Sequence, residues 1–164
     1  MKSKIANIIA TYLGCGLSKF APGTVGSLGT LPLAYLIMYY GNFYILLSVA
    51  VVLFFIGAKA TEIVSKESGN EDPSKVVIDE TVGQLLTFSI VAFLAQDYLV
   101  GSDSILFYIC GFVFFRFFDI LKMGPVKYAD TKIKNAYGVM LDDVFAGLFA
   151  SVVLLLVLFV KINL

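Results

Sequence analysis

Residues 144–160, VFAGLFASVVLLLVLFV, form an uninterrupted run of apolar and small side chains. Crossing the hydrocarbon layer of a bilayer takes about 20 helical residues, and this run approaches that length by itself. Because lipid offers no hydrogen bonds to the backbone, a run of this kind is stable in a membrane only as a helix. The run therefore predicts a membrane helix near the end of the chain.

The composition of the whole chain also predicts a membrane protein. Of its 164 residues, 59% are hydrophobic and 15% are charged, whereas soluble domains are about 45–50% apolar and 25% charged. The mean hydropathy is +0.91, and a chain of this length has too little interior to bury so many apolar side chains. We expect one domain over residues 1–164. The zero net charge gives no indication of nucleic-acid binding, and the sequence does not indicate an oligomeric state.

Further apolar stretches precede residues 144–160, at residues 28–40, 43–58, 82–95 and 104–118. Near the N-terminus, apolar side chains recur with helical spacing, as in an amphipathic helix that packs or lies in the membrane interface. They are Ile5, Ile8, Ile9, Tyr12 and Leu13. The predicted fold is an all-α, polytopic membrane helix bundle. It has about four to five membrane helices and an N-terminal amphipathic helix.

The basic residues predict the orientation of this bundle. If all five stretches span and the N-terminus is cytoplasmic, only Lys161 lies on the outer side, and the loop of residues 96–103 has no lysine or arginine. An excess of lysine and arginine marks the cytoplasmic side of membrane proteins. The predicted inner set is Lys2, Lys4, Lys19, Lys59, Lys66, Lys75, Arg116, Lys122, Lys127, Lys132 and Lys134.

Five acidic residues fall on the same predicted side, each at or just inside the end of an apolar stretch: Asp79, Glu80, Asp119, Asp142 and Asp143. Ionisable groups at such depth are costly and usually mark a functional site. They come from three separate stretches of chain, which a folded bundle can bring together.

Four of these acids form two adjacent pairs, Asp79-Glu80 and Asp142-Asp143. A glycine follows four residues after Asp79 and again after Asp143. Adjacent carboxylates repel each other unless a cation or proton intervenes, and hard oxygen ligands suit Mg²⁺. A Mg²⁺ site is the simplest interpretation of the repeated pattern. The structural alternative is that each pair caps a helix and interacts with its positive N-terminus.

Two other segments carry groups suited to phosphate. Arg116 and Asp119 lie three residues apart in a phenylalanine-rich stretch, with Lys122 one turn further. An ion pair within the helix, with Lys122 extending to the headgroups, is the structural alternative. The second segment, PGTVGS at residues 22–27, follows Lys19 and precedes an apolar stretch. Glycine-rich helix starts present amides to anions. A helix start capped by Thr24 or Ser27 is the alternative there.

Several phosphatase and hydrolase mechanisms are excluded by the residues that the chain lacks. It has no histidine, so histidine phosphatases and Ser-His-Asp hydrolases are ruled out. Cys15 and Cys110 have no cysteine-phosphatase loop beside them, and we expect two free thiols. The chain also has no Asp-x-Asp pattern. Metal-assisted attack by water, with carboxylates holding Mg²⁺, remains.

In this order, the segments resemble the phosphatidylglycerophosphatase A family, bacterial Mg²⁺-dependent lipid phosphatases. The resemblance runs from Gly14 to about Leu155. It departs after Lys122, where Met123-Gly124-Pro125 replaces the family's usual Pro-x-Pro and indicates a looser turn. The residues that carry it are Pro22 to Ser27, Ile78-Asp79-Glu80 with Gly83, Phe115-Arg116 with Asp119 and Lys122, and Asp142-Asp143 with Ala146-Gly147.

The resemblance implies removal of the terminal phosphate from phosphatidylglycerophosphate, a lipid substrate, at the inner leaflet. It implies a multi-pass protein of the bacterial inner membrane with a cytoplasmic active site. Asp79, Glu80, Asp119, Asp142 and Asp143 are then the expected catalytic and Mg²⁺-binding residues. The expected phosphate-binding residues are Lys19, Gly23, Thr24, Gly26, Ser27, Arg116 and Lys122.

Two alternatives from other functional classes remain at this point. Carboxylates near membrane helices can line the path of a cation transporter or channel, which predicts acids spread through the depth of the bilayer. A non-catalytic membrane scaffold with capped helices predicts that neutralising the acids changes stability but not turnover.

Overall fold

The computed structural model describes residues 2–101 and 104–163. Asp103, an acid of the predicted outer loop, lies outside the described residues. Within them the fold is all-α, as predicted, with a 3-10 turn at Cys15–Leu17 and no β-strand. The helices are α1 Ser3–Ala10, α2 Pro22–Tyr40, α3 Phe43–Ser68, α4 Ile78–Ala95, α5 Asp97–Val100, α6 Ser104–Leu121, α7 Pro125–Lys132 and α8 Ala136–Asn163.

Four of these helices, α3, α4, α6 and α8, are long and apolar enough to cross a membrane. The shortest two have 18 residues, or about 27 Å at 1.5 Å per residue, close to the hydrocarbon thickness of about 30 Å. Large apolar side chains cover their outer surfaces, for example Phe55 on α3, Ile105 on α6 and Phe159 on α8. Apolar side chains on an outer surface are stable when lipid surrounds them. The prediction of a polytopic membrane protein is confirmed.

Helix α2 runs alongside these four, although its glycines, threonines and proline make it less apolar. Its start lies near the end of α6, since a Cβ on Gly23 would be 3.2 Å from Arg116 Nη1. Its later half packs against the first half of α6, where the Tyr35 and Tyr108 rings are 5.8 Å apart. With 19 residues, α2 is as long as α4. The five predicted apolar stretches thus correspond to five roughly coextensive helices.

The helix ends show how the chain alternates direction. Asn42 accepts hydrogen bonds from the amides of Tyr44 and Ile45, which starts α3 directly after α2. The start of α3 meets the end of α4, where the Phe43 and Phe93 rings are 5.1 Å apart. Helices α2, α4 and α8 therefore start at one end of the bundle, where α3 and α6 finish. We call this end the site end.

Two predicted boundaries differ from the structure. Residues 22–27 were expected to precede the first apolar helix, but they form the first turns of α2, because Pro22 tolerates the first helical position, where its missing amide costs nothing. At the N-terminus, the amphipathic helix is confirmed as α1, but it ends at Ala10, so Tyr12 and Leu13 of the predicted stripe lie in the turn that follows it, with positive φ. Its buried contacts come from Ala6 and Ala10, whereas Ile5 and Ile8 are about half exposed, as an interfacial helix requires.

Candidate active site

A polar cavity of about 250 Å³ opens at the site end of the bundle. Apart from this cavity, the described bundle interior is lined mainly by apolar and small hydroxyl side chains. All five predicted acids line the polar cavity, together with Arg116 and Lys122. The other lining residues are Ala21, Pro22 and Gly23 at the start of α2, and Asp72, Ser74 and Val76 in the loop before α4.

Three of the acids come close enough to share one ion. One carboxylate oxygen from each of Asp79, Glu80 and Asp143 lies within 4.8 Å of the others; we call these three residues the carboxylate trio. Asp79 and Glu80 stand in the first turn of α4, and Asp143 stands in the second turn of α8. The trio can hold a metal ion, because three carboxylate oxygens at this spacing match the ligands of a hard divalent cation.

The hydrogen bonding around the trio is consistent with cation binding. Asp79 Oδ1, Glu80 Oε2 and Asp143 Oδ1 are buried and have no hydrogen-bond partner among the residues that the structure describes. Buried carboxylate oxygens are normally paired or coordinate a metal. Three such oxygens in one cavity therefore fit a positive ion.

Glycines bring the two acid-bearing helices together. A Cβ on Gly83 would lie 2.5 Å from the Asp143 carbonyl oxygen, and a Cβ on Gly147 would lie 2.5 Å from the Gly83 carbonyl oxygen. Any side chain at either position would push α4 and α8 apart and separate Asp79 from Asp143. The glycine that follows each acid pair thus permits the close approach of α4 and α8.

Arg116 of α6 lies on one flank of the trio. Its Nη1 atom is 2.5 Å from Asp119 Oδ2 and 3.6 Å from Glu80 Oε1, and all three side chains are largely buried. The guanidinium is thus held by Asp119, one turn along the same helix, and reaches Glu80 of α4. Asp119 lines the cavity as an ion-pair partner of Arg116, outside the trio.

Lys122 lies on another flank, just after α6 ends. Its ammonium donates to Asp142 Oδ2 at 3.0 Å and also to Asp130 of α7. Burial lowers the pKa of Lys122, but these two hydrogen bonds and the charges of both acids outweigh burial and raise it above the ordinary value. Lys122 therefore stays charged at neutral pH. Asp142, like Asp119, is engaged with a cationic side chain of the protein.

The start of α2 closes the cavity over Glu80. A Cβ on Gly23 would lie 2.0 Å from Glu80 Oε1 and 3.2 Å from Arg116 Nη1. Only glycine leaves room for these two side chains beneath the first turn of the helix. Among the predicted phosphate-binding residues, the structure brings Gly23, Arg116 and Lys122 into the cavity.

The structure does not bring the other four predicted phosphate-binding residues into the cavity. Lys19 is exposed and Thr24 is half-buried, and neither lines it. Gly26 packs against Val77, where an added Cβ would be 2.8 Å from the Val77 Cβ. The Ser27 hydroxyl donates to the Gly23 carbonyl oxygen at 2.8 Å. A phosphate-binding role for these four residues stays a prediction.

Two acids that line or support the site were missed by the sequence analysis. Asp72 lines the cavity mouth, where desolvation raises its pKa and the Lys122 charge partly offsets that shift. Asp130 holds Lys122 from α7. Both lie in polar segments without an apolar run, so their sequence context resembles that of ordinary surface acids.

The buried acids gather at one end of the described bundle. Asp97, at the start of α5, is exposed at the opposite end, and a column of acids between the two ends is not seen among the described residues. A cation path through the bilayer predicts such a column, whereas a hydrolytic site at one membrane face predicts the observed cluster.

Comparison with known proteins agrees with this geometry. The family model for phosphatidylglycerophosphatase A matches residues 8–158. This chain belongs to the phosphatidylglycerophosphatase A family. The match covers α2, α3, α4 and α6 in full, α8 as far as Leu158, and every acid of the polar cavity. The resemblance carried by the four sequence segments is thereby confirmed.

Individual relatives agree with the family assignment. Phosphatidylglycerophosphatase A of Haemophilus influenzae is 31% identical over 90% of this chain and 85% of its own length. The Escherichia coli protein of that name is 31% identical over 90% of this chain and 80% of its own length. A Bacteroides thetaiotaomicron protein with the provisional name phosphatidylinositol-3-phosphatase is 33% identical over 90% of this chain and 89% of its own length. No solved structure shows a significant match.

Proposed function

We propose that this chain is a Mg²⁺-dependent phosphatase that converts phosphatidylglycerophosphate into phosphatidylglycerol and phosphate, a step of phospholipid biosynthesis. Family membership and two relatives named phosphatidylglycerophosphatase A support the substrate. The observation that carries the proposal is the polar cavity. In it, three carboxylates, each with one buried oxygen that no described residue hydrogen-bonds, stand beside an arginine and a lysine.

Asp79, Glu80 and Asp143 would hold the metal, because their carboxylates are close together and each has a buried oxygen without a hydrogen-bond partner among the described residues. We infer Mg²⁺ because all the candidate ligands are carboxylate oxygens, which hard cations prefer. When bound, Mg²⁺ polarises phosphoryl oxygens and acidifies water, and it neutralises charge that develops in phosphoryl transfer. Asp119 and Asp142 remain part of the proposed catalytic set as residues that hold Arg116 and Lys122 in the cavity.

Arg116 and Lys122 are positioned to bind the phosphate. Both cations line the same cavity as the trio, and charge-assisted hydrogen bonds to phosphate oxygens are among the stronger polar contacts. In the hydrolysis, water oxygen bonds to phosphorus while the bond from phosphorus to the glycerol oxygen breaks. The proton lost by water passes to a cavity carboxylate, and the leaving glycerol oxygen gains a proton.

The position of the cavity supports action on a lipid. It lies at the end of helices whose outer surfaces are apolar, so a phospholipid headgroup can enter while its acyl chains stay in the bilayer. The distribution of basic residues supports a cytoplasmic location of the site end in the bacterial inner membrane. Lys161, at the far end of α8, lies 5.1 Å from the Phe107 ring, on the opposite side of the bundle.

The experiment measures the phosphate that the purified protein releases, in detergent micelles, from three lipids with matched acyl chains. They are phosphatidylglycerophosphate, phosphatidic acid and phosphatidylinositol 3-phosphate. We expect Mg²⁺-dependent release that is fastest from phosphatidylglycerophosphate. Faster release from phosphatidylinositol 3-phosphate would mean that this lipid, which the name of the Bacteroides relative contains, is the substrate instead. Absence of release from all three lipids would overturn the proposal.

A further inference from the structure

A second cavity, of about 600 Å³, lies on the lipid-facing side of the bundle between α2 and α6. Leu31, Pro32 and Tyr35 of α2 form one wall, and Ile105, Tyr108 and Ile109 of α6 form the other. Ser104 and Gly101 close its far end. We call it the α2–α6 cleft. It is largely apolar, in contrast to the polar cavity at the site end.

The same two helices connect the cleft to the polar cavity. Ile105, Ile109 and Arg116 follow the spacing i, i+4, i+11, which places them on one face of α6. Val113 lies between them along this face and is about half exposed, as is Ile109. On α2, Gly23 lines the polar cavity and Leu31 lines the cleft. An apolar strip therefore leads from Arg116 to the cleft.

The separation of the two cavities matches the depth of an acyl chain. Ile109 precedes Arg116 by seven residues and Leu31 follows Gly23 by eight, so the near end of the cleft lies about 10–12 Å from the polar cavity at 1.5 Å per residue. The hydrocarbon layer is about 30 Å thick, or about 15 Å per leaflet. A lipid with its phosphate in the polar cavity has its acyl chains at the depth of the cleft.

Another apolar cavity lies beside α3, and its lining includes Leu141 and Val144, the neighbours of Asp142 and Asp143 in the sequence. It measures about 330 Å³ and lies between α3, α4 and α8, lined by Val51, Phe54 and Val82 among others. The seam between α4 and α8 is closed by the backbone contact of Gly83 with Gly147, directly beyond Asp79 and Asp143. No residue of α3 lines the polar cavity. An acyl chain cannot pass from the trio through that seam.

We propose that the α2–α6 cleft binds an acyl chain of the phospholipid whose phosphate occupies the polar cavity. This inference rests on the proposed function, since it concerns the lipid of the same site. The cleft would orient the phosphate ester relative to Arg116 by holding the chain along α6. Chain length would then affect turnover by the enzyme, and the effect would be located in this cleft.

The first test compares kcat/KM for phosphatidylglycerophosphate with two long acyl chains and with two six-carbon chains. Ile109→Trp fills the cleft, and Val51→Trp fills the control cavity at a position of similar exposure. We expect Ile109→Trp to lower kcat/KM about 10-fold for the long-chain lipid, as other mismatches in apolar pockets do. Activity on the short-chain lipid should stay within about twofold, which also shows that the variant is folded.

Val51→Trp should leave the ratio of long-chain to short-chain activity unchanged. Equal losses on both lipids in Ile109→Trp, or a chain-length effect in Val51→Trp alone, would overturn the proposal.

The second test does not depend on turnover. Phosphatidylglycerophosphate with a photoreactive diazirine in the middle of one acyl chain is cross-linked to the wild-type protein, and the labelled peptides are mapped. We expect labels on α2 and α6 near Leu31 and Ile109, removed by excess unlabelled phosphatidylglycerophosphate but not by phosphatidylcholine. Labels spread over all outer helix faces, or displaced equally by both lipids, would show surrounding bilayer lipid only and overturn the proposal.

The two tests distinguish failure of the cleft from failure of the proposed function. If the protein hydrolyses phosphatidylglycerophosphate but is labelled at random, the proposed function stands and the proposal for the cleft fails. If the protein is labelled specifically at the cleft but releases no phosphate, the cleft is a lipid site and the proposed activity is wrong.

Discussion

The carboxylates of Asp79 and Asp143 lie within 4.8 Å of each other, although they come from different helices. Both side chains are buried, with 8% and 2% of their surface exposed, and Glu80 joins them. Two like charges this close in a low-dielectric interior repel strongly. The fold keeps them together through the glycine contacts of α4 with α8, so their repulsion has to be relieved by a proton or by a divalent cation.

Mg²⁺ should therefore stabilise the protein. A ligand at 100 times its Kd adds about 2.7 kcal/mol to the free energy of unfolding. For a chain of this size that corresponds to a rise of about 5–10 °C in Tm. Thermal unfolding in detergent, with Mg²⁺ and with a chelator, measures the effect.

Asp143→Asn is the matched variant for this measurement. It should lose most of the response to Mg²⁺ and, in chelator, unfold at a higher temperature than the wild type, because one of the repelling charges is gone. An unchanged response to Mg²⁺ in Asp143→Asn would exclude Asp143 as a ligand.

Gly23→Ala should impair activity without weakening α2. Alanine is favoured over glycine in a helix by about 1 kcal/mol, but the added Cβ would meet Glu80 Oε1 at 2.0 Å. Glu80 must then move away from the trio, and we expect kcat/KM to fall about 10-fold or more, as when an active-site group is displaced by an ångström. Gly29→Ala in the same helix would meet the Cys15 Sγ atom at 3.1 Å and the Tyr12 ring at 3.4 Å, both outside the polar cavity, and serves as the control. Equal activity of the two variants would contradict the contact with Glu80.

Arg116→Lys should reduce phosphate binding although it conserves the charge. The guanidinium contacts Asp119 and approaches Glu80 at the same time, whereas an ammonium is a point charge without the planar fork. We expect a rise in KM and a fall of about 10-fold or more in kcat/KM, as for the loss of one charge-assisted hydrogen bond. Lys127→Arg, an exposed position on α7, is the reciprocal control and should behave as the wild type. Wild-type kinetics in Arg116→Lys would remove Arg116 from the phosphate site.

Asp130→Asn tests whether the second partner of Lys122 positions it. With Asp130 neutral, the ammonium should shift toward Asp142, its partner at 3.0 Å. We expect KM for the lipid to rise more than kcat falls, because phosphate binding weakens first. Asp130→Glu keeps the charge and should recover most of the loss. A merely structural role for Asp130 predicts lower Tm with unchanged KM in both variants.

Much of the fold followed from local sequence. Apolar runs such as residues 144–160 predict helices because backbone hydrogen bonds must be satisfied within lipid, and the structure has a helix at each. The start of α2 was not predictable in the same way. Glycine and threonine are weak helix formers, and residues 22–27 are helical because they pack against Glu80 and Val77, residues distant in sequence.

The site was predicted as a set of residues but without its internal arrangement. The repeated pattern of paired acids indicated all five carboxylates, and all five line one cavity. The ion pair of Arg116 with Asp119 was the structural alternative that the sequence offered, and it is present. Sequence alone could not show that Asp142 pairs with Lys122, because that depends on how α6 and α8 are oriented around α4. Asp130 was missed for the same reason, since only the fold of α7 brings it to Lys122. The prediction of a single domain over residues 1–164 stays a prediction.

The most direct test of the carboxylate trio measures phosphate release from phosphatidylglycerophosphate, with Mg²⁺ and with chelator. The purified proteins to compare are the wild type, Asp79→Asn, Asp143→Asn and Asp97→Asn. We expect Mg²⁺-dependent turnover in the wild type and in Asp97→Asn, whose exposed carboxylate lies at the opposite end of the bundle. Asp79→Asn and Asp143→Asn should lose about 10²–10³-fold in kcat, the scale seen when one electrostatic contact to a transition state is removed. Wild-type turnover in both variants, or turnover that persists in chelator, would contradict a metal-dependent site built on these carboxylates.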